Sequence, residues 1–131
     1  MKRPLFALTL AALLPAAHAA PGAADPWPNS PVLIRLFLQP SGRAAGERLG
    51  RDLSLTSTQV AELRRLARGE AAYGEAGRHV IGRQEAARLN ARIAAMRAEK
   101  DRKVRVLLGK KYPAFRAWLR TWWAGQVRSS G

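Results

Sequence analysis

The chain contains no cysteine, which excludes disulfides, thiolate metal sites and thiol nucleophiles together. Histidine is almost as scarce, with 2 residues, and one of them, His18, lies in the apolar N-terminal stretch. The other, His79, has no second histidine with which to form a metal cluster, and Arg78 and Arg83 nearby repel a cation. Acidic residues number only 9 against 23 Lys and Arg. Asp52, Glu62, Glu70, Glu75, Glu85, Glu99 and Asp101 are scattered, mostly three or four residues from a base, as in Glu85 with Arg88 and Glu99 with Lys103. Such carboxylates are expected to be solvated helix-face pairs worth about 0.2–0.5 kcal/mol each, not an acid–base couple. No Ser or Thr has a plausible general base beside it, and the glycines form no phosphate-binding loop. These absences predict a protein that is not an enzyme and uses no metal or cofactor.

Long apolar runs are also missing, apart from LFALTLAALLPAA near the start. That run is short of the ~20 residues a bilayer span needs, and Pro15 interrupts it. With Met1, Lys2 and Arg3 before it and Ala17-His18-Ala19 after it, the run predicts a secretory signal peptide over residues 1–19, cleaved after Ala19. The expected protein is exported, periplasmic or extracellular. A lipoprotein anchor is excluded, because no cysteine follows the run.

What is abundant is positive charge. Without Lys2 and Arg3, 21 basic residues face 9 acidic ones, a net +12. A field of that strength on a small body favours anionic partners: acidic or unfolded polypeptides, anionic membrane, acidic wall polymer or nucleic acid. Export makes nucleic acid the least expected of these.

The remaining organisation reads as helices separated by punctuation. PGAADPWPNSP is Pro-rich and predicts an extended linker over residues 20–31. Trp27 within it is either an aromatic tacked onto the domain, the favoured reading, or an exposed contact. Ser30-Pro31 then reads as an N-cap with Pro at the first helical position. VLIRLFLQ predicts a short helix stopped by Pro40, since no partner strand is evident. RAAGERLGRD, residues 43–52, predicts a second short helix weakened by its glycines. In LSLTSTQVAELRRLA, Thr56 as N-cap and Gln59 at N3 form a capping box, with Leu55 and Val60 placed as a hydrophobic staple. Val60, Leu63, Leu66 and Ala67 continue as an apolar stripe.

Gly69, Gly74 and Gly77 leave open whether residues 69–82 turn the chain back or continue a helix. From Arg83 to Leu108 a long helix is predicted, because Ala86, Leu89, Ile93, Met96, Val104 and Leu107 share one sector at 100° per residue. Lys100 falls in that sector and is expected to extend its ammonium past its packed stem to water. Gly109 ends this helix. A last helix from Tyr112-Pro113 carries Phe115, Trp118, Leu119 and Trp122 on one face, with a disordered tail QVRSSG after it. The expected fold is all-α, a small elongated helical hairpin or bundle of four to five helices over residues 32–127, with residues 128–131 as tail. Trp122 and Trp123 are adjacent, about 100° apart on a helix, so both cannot sit centrally in one core contact.

RLGRDLSLTSTQVAELRRL resembles the LTxxQ signature of the Spy/CpxP-like periplasmic proteins, with Leu55, Thr56 and Gln59 in its defining positions. A second signature, frequent in that family before the last helix, is not matched: LLGKKYPAF keeps Leu107 and Phe115 but lacks the Thr and Gln. The resemblance implies a helical hairpin that dimerises into a cradle and holds unfolded clients without ATP on a basic, partly apolar face. On that basis Arg64, Arg65, Arg68, Arg88, Arg92 and Arg97 are the expected polypeptide-binding residues. The alternative is a cationic helical protein adhering to anionic membrane, wall polymer or nucleic acid through Lys110, Lys111, Arg116, Arg120, Trp122 and Trp123. The metal-responsive branch of the family is inconsistent with a single His in the exported chain.

Overall fold

The computed structural model describes residues 24–130. The predicted signal peptide and its cleavage site after Ala19 lie outside the described residues. Among the described residues there are five α-helices and two single 3₁₀ turns, and no strand. We number the helices α1 (Val32–Phe37), α2 (Arg43–Asp52), α3 (Ser57–Gly77), α4 (Arg83–Leu108) and α5 (Tyr112–Ser130). The chain is all-α, as the sequence predicts.

Local chemistry explains most of the boundaries. Thr56 accepts from the N–H of Gln59 at 3.0 Å, and Gln59 Oε1 accepts from the N–H of Thr56 at 2.9 Å, so the capping box is complete at the start of α3. Gln59 does more than cap: its Nε2 donates to the carbonyl of Leu107 at 3.1 Å, tying the start of α3 to the end of α4. Gly69 and Gly74 do not break α3, which runs through both to Gly77. The chain reverses over residues 78–82, where Gly82 takes a φ of 85° before α4 begins. The α3–α4 hairpin is therefore the long element of the molecule, with helices of 21 and 26 residues, about 32 and 39 Å at 1.5 Å per residue.

Gly42, just before α2, and Gly46 within it serve packing. A Cβ at Gly42 or Gly46 would lie 1.6 Å from the Arg35 carbonyl oxygen or 2.3 Å from that of Leu36. Only hydrogen at those positions lets the start of α2 approach the backbone of α1.

The core lies at one end of the hairpin. Leu33 and Leu36 of α1, Leu49 of α2, Leu63 and Ala67 of α3, Val104 and Leu108 of α4, and Phe115, Leu119 and Trp122 of α5 are buried together. Between residues 71 and 99 only Leu89 is buried. That distal part of the hairpin is a two-helix arm, and its tip presents Ile81 with 83% of its surface exposed.

Several expectations are corrected. The first turn of α1 starts one residue later than predicted, with Pro31 rather than Ser30 as N-cap and no side-chain cap. Residues 26 and 27 are not free linker: Pro26 is buried and Trp27 is 2% exposed. Trp27 meets Phe115 edge-on at 5.2 Å and donates its indole Nε1–H to Asp101 at 2.8 Å, which is the tacked arrangement in a tighter form. Lys100 does not reach water. Its side chain is buried, its ammonium donates to Glu70 Oε2 at 2.8 Å, and the Trp27 ring covers it at 4.4 Å. Glu70 is correspondingly a buried partner and not a solvated carboxylate. Glu85 accepts from the N–H of Ile81 at 2.6 Å rather than pairing with Arg88, and Glu99 pairs with Arg102 rather than Lys103. The segment predicted as disordered tail is helical through Ser130, because nothing from Gln126 to Ser130 interrupts helical geometry: it holds neither proline nor glycine.

Candidate functional site

The α3–α4 hairpin carries a groove of about 460 Å³ between its helices. On α3 the residues Arg65, Leu66, Gly69 and Tyr73 line it; on α4, Arg92, Ala95, Met96, Glu99 and Lys103. These sets recur at three- and four-residue intervals, so each forms a continuous stripe along its helix. The two stripes face one another because the antiparallel pair is held in register by the Glu70–Lys100 contact. Leu66, Tyr73 and Met96 supply a half-buried apolar lining. Gly69 supplies space: a Cβ there would meet no atom within 4 Å.

The charges around the groove are uneven. Glu62 accepts from Arg65 at 2.5 Å, and that hydrogen bond holds its carboxyl below the usual carboxylate range. Glu99 is held down in the same way by Arg102, with Lys103 adding a weaker electrostatic pull. Glu62 and Glu99 are thus already engaged by arginines of their own helices. Arg92 and Lys103 make no ion pair among the described residues, so the net field over the groove is positive. Under the apolar lining, Glu70 keeps one carboxylate oxygen, Oε1, buried with no hydrogen-bond partner.

The six arginines expected to bind polypeptide are not one surface. Arg65 and Arg92 line the groove. Arg88 is exposed one turn before Arg92 on the same face of α4. Arg64 borders a different and larger depression of about 840 Å³, lined also by Phe37, Leu38, Leu55 and Val60. Arg68 is exposed and borders neither. Arg97 lies beside Trp27 and Arg116, away from the groove. Leu66, Gly69, Tyr73, Met96 and Lys103 were missed as site residues. Their spacing beside Arg65 and Arg92 was visible, but which stripe faces core and which faces an open groove depends on the register of the hairpin.

The alternative surface is largely taken up by internal contacts. Lys111 donates to the Ser54 carbonyl at 2.6 Å and approaches Gln59 Oε1 at 3.4 Å. Arg116 donates to the Tyr112 hydroxyl and pairs with Asp25, and Arg120 lies 3.9 Å from the same carboxylate. Trp122 is buried and stacks on Trp118 at 6.2 Å. The guanidinium of Arg35 sits 5.3 Å over the Trp123 ring and 5.9 Å over that of Trp122. Of the six residues only Lys110 and Arg120 are exposed.

His79 is exposed and 3.4 Å from Glu75, and no group of three metal-ligating side chains converges among the described residues. No helix among them is long and apolar enough to cross a membrane. No family model, curated protein or solved structure matches the chain.

Proposed function

We propose that this is an exported helical protein that binds unfolded or stress-related polypeptides without ATP, in the manner of the Spy/CpxP-like proteins its LTxxQ stretch resembles. The observation that carries the reading is the α3–α4 groove, an open depression with Leu66, Tyr73 and Met96 along it and unpaired Arg92 and Lys103 at its edge. A net +12 over the exported chain draws acidic unfolded chains from a distance. The groove then offers weak apolar contacts that need no sequence match, which suits a client defined only by being unfolded. Tyr73 and Met96 adapt to varied side chains, methionine because it is unbranched and polarizable. The same resemblance favours a homodimer, in which two hairpins would extend the surface.

The test is suppression of aggregation of a reduced or denatured client, followed by light scattering at low and high salt. Stoichiometric protein should lower the scattering at low salt, and added salt should weaken the effect as it screens the first, long-range step. Scattering unchanged by stoichiometric protein at low salt would end this reading. The alternative surface offers less to an anionic membrane or polymer, because its tryptophans and two of its cations are engaged within the fold.

A further inference from the structure

On the side of α4 away from the groove, a smaller cavity of about 270 Å³ is lined by Trp27, Pro28, Arg97, Ala98, Asp101 and Arg116. It joins two residues that the sequence assigns to different surfaces. Arg116 uses its Nη atoms on the Tyr112 hydroxyl and on Asp25, yet its Nε is buried with no hydrogen-bond partner. The Nε of Arg97 is buried and unpartnered as well. The Arg97 guanidinium makes no ion pair or hydrogen bond among the described residues, although an acid, Asp101, stands one turn away. Asp101 has its oxygens committed elsewhere, accepting from Trp27, Tyr112 and Arg105.

Arg97 and Arg116 both line this cavity, and the Arg97 guanidinium has no carboxylate partner among the described residues, so it is the cation there whose charge is not neutralised by an ion pair. Water can accept from an isolated N–H, but it brings no charge to a guanidinium that lacks a counter-ion. The uncompensated charge of Arg97 favours an anion as the cavity's ligand. Its kind follows from the walls. Asp101 is ionised beside the cavity, which penalises a dianion more than a monoanion. Trp27, Pro28 and Ala98 are apolar and suit a short hydrocarbon body. The free fork of Arg97 matches the two oxygens of a planar carboxylate.

We propose that this cavity is a carboxylate site, in which the Arg97 guanidinium holds the carboxylate of a small organic acid or of a polypeptide terminus, Arg116 adds positive charge beside it and Trp27 covers its apolar end. It is distinct from the groove, on which it does not depend.

The indole Nε1–H of Trp27 reports on the cavity, since it donates to Asp101 within it. Its ¹H–¹⁵N signal, assigned with Trp27→Phe, is followed at constant ionic strength while sodium propionate, sodium phosphate, or a short peptide with either a free or an amidated C-terminus is added. Propionate or the free-acid peptide should shift the signal saturably, and Arg97→Gln should weaken that binding at least tenfold. Tighter binding of propionate assigns the site to free acids, and tighter binding of the free-acid peptide assigns it to chain termini. Arg97→Gln removes no ion pair, so an unchanged helical circular dichroism spectrum shows that the variant is folded. No saturable shift, a shift undiminished in Arg97→Gln, phosphate binding as tightly as propionate, or amide binding as tightly as acid would each overturn the proposal.

Discussion

Glu70 and Lys100, 30 residues apart in sequence, meet at 2.8 Å with their side chains 4% and 3% exposed, and the Trp27 ring closes over the ammonium. A buried pair of this kind is costly to form and more costly to break. Truncating either member alone, as Glu70→Ala or Lys100→Ala, should destabilise by about 3–5 kcal/mol, because the remaining charge is left buried and uncompensated. The double substitution Glu70→Leu with Lys100→Met should recover most of that loss. Urea unfolding of the four proteins checks this, and a double variant as unstable as the sum of the singles would contradict it.

Thr56 and Gln59 differ in what they do, although both belong to one capping box. Thr56→Ala removes one cap hydrogen bond and should cost about 1 kcal/mol. Gln59→Ala removes the reciprocal bond, the link to the Leu107 carbonyl and the contact with Lys111, so it should cost more than Thr56→Ala in the same urea series. Neither side chain lines the groove. Both variants should therefore keep client protection at temperatures where they are folded, and loss of protection in a stable Thr56→Ala protein would move the site onto the motif itself.

Acid should attack the fold through Asp101. Burial pushes its carboxyl up, but hydrogen bonds from Arg105, Tyr112 and Trp27 outweigh burial and bring it down to about 2. A carboxyl lowered in the folded state stabilises the fold above its unfolded value, near 3.8, and loses that contribution as pH falls through about 2. The contribution is on the order of 2 kcal/mol at neutral pH. Asp101→Asn should be less stable at pH 7 by about that amount. Its stability should also fall less than wild type between pH 4 and pH 2, measured by urea unfolding at each pH. Parallel pH profiles would show that Asp101 is not a main acid-sensitive group.

What was legible in the sequence was local. The boundaries of α2 and α4, the capping box at Thr56 and the stop at Gly109 each depend on residues within a turn of one another. The apolar sector of α4 was legible for the same reason. What stayed hidden depends on partners distant in the chain. Nothing near Lys100 announces Glu70 or Trp27, so an isolated reading sends its ammonium to water. The six arginines look alike in sequence, and only the hairpin register separates Arg65 and Arg92 on the groove from Arg97 behind it. Gly46 reads as a residue that weakens α2 until the backbone of α1 is seen against it.

Gly69 separates the folding role of the groove from its use. A Cβ at this position meets nothing within 4 Å, and the residue lies inside α3. Gly69→Ala should therefore stabilise the protein, by up to about 1 kcal/mol from helix propensity, and should leave the groove open. Gly69→Trp places an indole where the apolar lining and the basic edge meet, and it has free space to occupy. It should retain the fold, seen as an unchanged helical spectrum, while losing most suppression of client aggregation at low salt. Arg92→Glu should show the complementary defect, with the groove open but its charge reversed and protection reduced most at low ionic strength. If Gly69→Trp protects clients as well as Gly69→Ala does, the groove is not the binding surface, and the large depression beside Arg64 becomes the next place to block.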